Sequence, residues 1–244
     1  MPAYRADDLR RFVADALRRL DLTDADADLC AEILLDADLR GVGTHGIANF
    51  VWHLHYGPGL RDGSIKARPE VEVLRDSPVA AAWDADRGFG PLIAHRAMSA
   101  AIDKAEASGV GMITVRNGCH FGAHAYFVDM AAAHDMVAMT MSHTMPSAVA
   151  PGGRDRVVGT NPLGIGVPSG DDHHFVLDMA TTAISGTRAM FAARSGEPLP
   201  WGVAVDADGA ITTDPTASRS GGALLPLGST AESGGAKGLG LALV

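Results

Sequence analysis

Hydrophobic periodicity changes once along this chain, near residue 70, and that change constrains the fold more than any other feature. Before it, apolar residues recur at helical spacing. Leu9, Phe12, Val13, Ala16, Leu17 and Leu20 make one face of an amphipathic helix over residues 5–20. The stretch "LTDADADLCAEILLDADLRG" is a second helix, with Thr23 suited to cap its start and Gly41 to stop it. Residues 50–56 have room for a further turn or two of helix before "GPG". A cluster of prolines and glycines, then "ARPEVEVLRD", marks the change.

Beyond it, strand and helix patterns alternate. "VAAAWDA", "VGMITVRN", "MVAMTMSH", "LGIGVPS" and "HHFVLDMA" read as strands, the second of them buried. "GPLIAHRAMSAAIDKAEASG", "AHAYFVDMAAAHD" and "AISGTRAMFAARSG" read as helices, and "ADG" closes a short hairpin in "GVAVDADGAITTDP". The expected architecture is a helical domain over residues 1–72 followed by an α/β domain over residues 73–244. Residues 218–236, rich in Gly and Ser, read as a flexible loop. The ending, "GGAKGLGLALV", is one or two turns of an apolar helix cut in mid-pattern, so the chain reads as a fragment.

Composition narrows the function class. A net charge of −9 argues against a nucleic-acid or anionic-membrane partner. No apolar run approaches the roughly 20 residues of a membrane helix, and the charged N-terminus lacks the apolar core of a signal peptide. Cys30 and Cys119 are lone thiols without metal-ligand spacing, which points to a reducing cytoplasm. A small-molecule enzyme is the leading class.

"GVGTHG", residues 41–46, has the glycine spacing of a dinucleotide-binding loop. That fingerprint needs a buried strand before it, a helix after it and an acidic residue at the next strand end. Here an amphipathic helix precedes it, and the acidic residue at about the right distance, Asp62, lies in a Gly/Pro loop. The match is accidental as a phosphate signal. The bland reading is a helix C-cap with neighbouring turns; the functional one is a tight loop that presents Thr44 and His45 to a cleft.

His120, in "NGCHFG", stands between a strand and a helix, where α/β proteins place catalytic groups; a polar loop histidine bonded to backbone is the alternative. His124 stands at helical spacing from it, and His53 with His55 makes an H-x-H pair. Both patterns can bind metal, but no carboxylate lies within either cluster, so no metal is expected. His173 and His174 read as solvated. "PGG" at 151–153 and "GTNP" at 159–162 expose backbone amides to a ligand or are ordinary turns. Asp178 ends a strand before a hydroxyl-rich stretch suited to a ribose or phosphate. Lys237, in a region poor in basic residues, either meets a phosphate or carboxylate or is simply solvated.

In order along the chain, "LRGVGTHGIAN", "HRAMSAAIDKAEASGVGMITVRN", "CHFGAHAYF", "APGGRDRVVGTNPLGIGVP", "LDMATTAISG", "GVAVDADGAITTDP" and "GGAKGLGLALV" resemble the malate/L-lactate dehydrogenase family of the non-Rossmann type. That family also holds ureidoglycolate and sulfolactate dehydrogenases, 2,3-diketogulonate reductase and Δ1-piperideine-2-carboxylate reductases. The resemblance implies a helical domain built from both chain ends, an α/β domain with a mixed, non-Rossmann sheet that binds NAD or NADP, and a homodimer with its active site in a cleft between domains. It implies that His45 and His120 are catalytic, one as acid/base and the other polarising the substrate oxygen, in an order the sequence leaves open. Thr44 falls in the family's Ser/Thr-His-Gly motif as a substrate contact. Thr144, Asn161, Asp178, Met179, Ala180, Thr181, Thr182 and Lys237 fall at cofactor contacts. The family's substrate-gripping arginine and a later tyrosine are replaced by Asn49 and His53, so the substrate, a 2-hydroxy/2-keto acid or cyclic imino acid, is less defined than the reaction. A metal-dependent hydrolase built on the histidine clusters, and an inactive binding protein, are the rival readings.

Overall fold

The computed structural model describes residues 4–48, 56–170, 173–218 and 220–244. The described helices are α1 (Ala6–Arg18), α2 (Asp24–Leu39), α3 (Tyr56–Asp62), α4 (Gly90–Ser108), α5 (His124–Ala132), α6 (Gly186–Ser195) and α7 (Gly235–Leu243). The strands are β1 (Glu72–Asp76), β2 (Ala80–Asp84), β3 (Met112–Arg116), β4 (Ala138–Met141), β5 (Ala148–Val149), β6 (Arg156–Val158), β7 (Leu163–Val167), β8 (Phe175–Met179), β9 (Ala204–Val205) and β10 (Ala223–Leu224). The fold is mixed α/β, as the alternation predicts. It divides into two compact units, residues 1–138 with 166–176, and residues 139–165 with 177–244. No helix among the described residues is long and apolar enough to cross a membrane.

In the first unit, α1 and α2 bury their apolar faces together: Val13, Ala14 and Leu17 meet Ala27, Cys30, Ala31 and Leu34. Removing one such leucine side chain costs about 2–5 kcal/mol. Thr23 caps α2 as expected, its hydroxyl accepting from the Asp26 amide at 3.2 Å. Tyr56, Leu60, Phe89 and Leu92 extend this core.

Helix α3 differs from the sequence expectation, because it runs through "GPG" instead of ending before it. Pro58 sits in the first turn, where its missing N–H has no helical partner to lose. A Cβ at Gly59 would crowd the Ile65 side chain at 2.8 Å.

Strands β1 and β2 pair antiparallel, and β2 pairs parallel with β3 across the α4 crossover. Contrary to expectation β3 is not buried: Met112 is 55% exposed. It is the edge of a sheet in the order β1-β2-β3. Helix α5 joins α4 through Ile102, Val128 and Ala131.

The second unit holds a sheet in the order β6-β5-β10-β9. Ala148, Val158, Ala204 and Leu224 from its strands pack with Ala189 of α6 and Ala242 of α7. Strand β10 lies inside the segment read as a flexible loop, and Ala223, Leu224 and Leu225 are buried. The apolar run there is too short to show periodicity; its order comes from β5 and β9 on either side. A third sheet has the order β4-β7-β8.

Candidate active site

The glycine-rich loop 41–47 folds back on the end of α2. Gly41, at φ 79°, turns the chain out of the helix. The amides of Gly41, Val42 and His45 donate to the carbonyls of Asp38, Ala37 and Val42 at 3.0, 2.7 and 2.9 Å. No strand feeds this loop, so its amides cap a helix rather than cradle a phosphate. What it presents is His45, whose Nδ1 lies 2.9 Å from the Thr44 hydroxyl.

His120 stands in the loop between β3 and α5. The Gly122 amide donates to its Nδ1 at 3.2 Å. The Tyr56 hydroxyl meets the same nitrogen and also donates to the His120 carbonyl at 3.0 Å. Tyr56 is fully buried, edge-on to Phe89 with ring centres 5.0 Å apart. Burial pushes its hydroxyl well above the ordinary phenol value, so it stays a proton donor at neutral pH. The His120 carbonyl lies so close to the first turn of α4 that a Cβ on Gly90 would overlap it. These constraints bring the rings of His45 and His120 into a stack, centres 5.6 Å apart and 27° from parallel.

The two histidines singled out from sequence therefore meet. Tyr56 is a functional candidate that sequence reading misses. Two signals point to it: a buried tyrosine needs a partner for its hydroxyl, and the family's tyrosine, assigned to position 53, has Tyr56 close by. Asn49, His53 and His55 lie outside the described residues. His124 is buried against Phe121, ring centres 4.7 Å apart. Among the described residues no group of three or more His, Cys, Asp or Glu is placed to hold a metal ion. His174 departs from its solvated expectation: its Nδ1 lies 2.8 Å from Asp129, which also pairs with Arg40 at 2.6 Å.

In the second unit the expected cofactor contacts split into two kinds. Asn161 Oδ1 accepts from the Thr144 amide at 2.9 Å, and its Nδ2 donates to the Ala242 carbonyl of α7 at 2.7 Å. The Thr181 amide and hydroxyl both donate to the Thr160 carbonyl, at 2.9 and 3.0 Å. The Thr182 hydroxyl donates to the Ile184 carbonyl at 2.7 Å. Thr181 and Thr182 are buried, so these side chains fasten loops together. Lys237 is the other kind, exposed in the first turn of α7 and without a carboxylate partner among the described residues. Asp178 and Met179 close β8, and Ala180 continues from it.

A family model described as malate/L-lactate dehydrogenase matches residues 4–244. The chain belongs to that family. It is 37% identical over 234 residues to the L-sulfolactate dehydrogenase of Methanocaldococcus jannaschii, covering 96% of this chain and 65% of that enzyme. It is 38% identical over 203 residues to the Δ1-pyrroline-2-carboxylate/Δ1-piperideine-2-carboxylate reductase of Pseudomonas syringae pv. tomato, covering 83% of this chain and 58% of the other. The malate dehydrogenase structure of Entamoeba histolytica superposes with a TM-score of 0.94 at 29% identity, over 99% of this chain and 68% of that one. The chain thus spans about two thirds of the length of these relatives or less.

Proposed function

We propose that this chain carries the acid/base and nicotinamide-binding machinery of an NAD(P)-dependent oxidoreductase acting on C2 of a small 2-hydroxy or 2-keto acid. The stacked His45 and His120 pair, 5.6 Å between ring centres, carries the reading. Two imidazoles this close can address one substrate oxygen, one exchanging its proton and the other polarising it.

In this reading the two histidines take different roles. A backbone amide only donates, so an unprotonated Nδ1 suits the Gly122 N–H, with the Tyr56 hydroxyl hydrogen shared between that nitrogen and the His120 carbonyl; the ring proton then lies on Nε2. His120 is then a neutral donor that polarises the substrate oxygen. At His45 the reading places the Nδ1 proton toward the Thr44 oxygen 2.9 Å away, which leaves Nε2 to give and take the reaction proton. His45 is the acid/base.

The nicotinamide ring, when bound, supplies the hydride chemistry. The donor set of the second unit fits such a group: an exposed Lys237 on the positively charged end of α7 suits phosphates, and an exposed Asp178 at the end of β8 suits a ribose hydroxyl. These two would hold the cofactor, while the bonds of Asn161 to Thr144 and of buried Thr181 and Thr182 to backbone carbonyls keep the loops around them in place.

Reduction of a cyclic imino acid is the second reading, favoured by the 38% identity to a reductase of that kind. A screen of NADH and NADPH oxidation against 2-keto acids and cyclic imines separates the two. Turnover of neither class, with nicotinamide still bound, would mean a binding protein. Metal-stimulated hydrolysis abolished by chelator would replace the reading altogether.

A further inference from the structure

The loop that presents His45 is closed around a single carboxylate. Asp38, in the last turn of α2, accepts from the Ile47 amide at 2.7 Å through Oδ2. A Cβ on Gly46 would fall on that carboxylate, and one on Gly43 would lie 3.4 Å from Oδ1. The carboxylate therefore occupies the space that two of the three loop glycines leave open. His45 sits between its own amide, bonded to Val42, and the Ile47 amide two residues on, bonded to Asp38. The two bonds fix the backbone on either side of His45.

We infer that Asp38 is a positioning residue for His45, and that the glycine pattern of "GVGTHG" serves this buckle. The inference rests on the reading of His45 as the acid/base, and adds to it the group that sets its place. The bond at stake is Ile47 N–H to a side-chain oxygen on α2. An asparagine oxygen can accept that bond in nearly the same volume, whereas alanine cannot. Burial raises the Asp38 carboxyl above its ordinary value and the Ile47 amide draws it back down, in keeping with a group enclosed by the loop.

The test compares Asp38→Asn and Asp38→Ala with His45→Ala in the full chain. Three things are measured: kcat in the nicotinamide assay, the NMR signal of the His45 ring proton, and Tm. Asp38→Asn should keep kcat within about threefold of wild type, and Asp38→Ala should lower it by about tenfold or more with NADH affinity unchanged. Adding Asp38→Ala to His45→Ala should cost almost nothing further, because both act through one group. The His45 signal should move in Asp38→Ala and stay in Asp38→Asn, with the surface His134 as the unmoved control. Gly46→Ala should lower Tm in the wild-type background and much less in Asp38→Ala, where the space is vacated.

The NMR and Tm arms read the geometry even if no substrate is found, so a failed assay tells against the activity and not the buckle. An unmoved His45 signal in Asp38→Ala, or equal Gly46→Ala penalties in both backgrounds, would overturn the proposal. So would equal losses of kcat in Asp38→Asn and Asp38→Ala, which would assign the effect to charge.

Discussion

Tyr56 and His120 are joined twice, once between the phenol hydroxyl and Nδ1 of the imidazole and once between the same hydroxyl and the His120 carbonyl at 3.0 Å. One buried oxygen thereby fixes both the ring and the backbone of a loop residue. Tyr56→Phe should keep the edge-on contact with Phe89 and lose only this double link. The expected result is a kcat lowered about tenfold and a stability loss of about 1–3 kcal/mol from the orphaned acceptors. An unchanged kcat would show that His120 needs no such support.

The assignment of roles to the two histidines makes their substitutions differ in kind. His45→Ala should lower kcat by about 10²-fold and abolish its pH dependence in the near-neutral range where imidazoles titrate. His120→Ala should lower kcat comparably but keep that dependence, since the proton-exchanging group remains. Profiles of kcat against pH for both variants decide it; the reverse pattern would exchange the roles.

Lys237 and Asn161 should fail differently. Lys237→Ala removes an exposed cation and should weaken NADH binding by about tenfold, more at low salt than at high, with Tm unchanged. Asn161→Ala severs the Thr144 and Ala242 bonds together and should lower both NADH affinity and Tm. Titration by fluorescence and thermal melts measure these. A Lys237→Ala variant that binds NADH normally would remove this lysine from the cofactor site.

Asp129 gives the first unit a dependence on acid. Burial alone would raise its carboxyl; the Arg40 guanidinium and the His174 ring outweigh burial and hold it below its ordinary value. A depressed carboxyl stabilises the fold above its unfolded pKa of about 3.9, and the contribution fades as pH falls through the lower folded value. Urea melts between pH 3 and 6 should show this loss in wild type and a shallower one in Asp129→Asn. Identical slopes would mean that the triad of Arg40, Asp129 and His174 contributes nothing to folding.

The residue at position 49 tests substrate preference. Arginine grips a carboxylate with two charged bonds, and asparagine cannot. Pyruvate should be a poor substrate for the wild-type chain, and Asn49→Arg should improve it through KM more than kcat. Efficient pyruvate reduction by wild type, unaltered by the substitution, would take Asn49 out of the substrate's reach.

Much of this is legible in the sequence. The amphipathic faces of α1 and α2, the Thr23 cap and the rejection of a phosphate loop at 41–46 all follow from local chemistry, which acts over a few residues and leaves its period in the sequence. His45 and His120 can be nominated from loop position and family resemblance, but not ordered, because the sequence does not show which ring nitrogen a neighbouring group faces. Tyr56 is the clearest omission. Its link to His120 spans 64 residues, and no spacing rule reaches that far. Strand β10 is hidden in the sequence for a related reason, since two residues carry no period and their order comes from neighbouring strands. The exposure of β3 is not legible because an edge strand and a central one can share the same apolar letters.

The bare backbone of Gly90 against the His120 carbonyl sets a limit on how this protein can vary. A library that randomises position 90 should return glycine alone, though glycine offers no side chain that touches anything. Its requirement is an absence of atoms, which a scan to alanine would misread as a functional side chain. Descendants of this sequence, natural or engineered, can therefore retune the histidine loop only through residues such as Cys119 and Phe121 on either side of His120, and not by moving the loop away from α4.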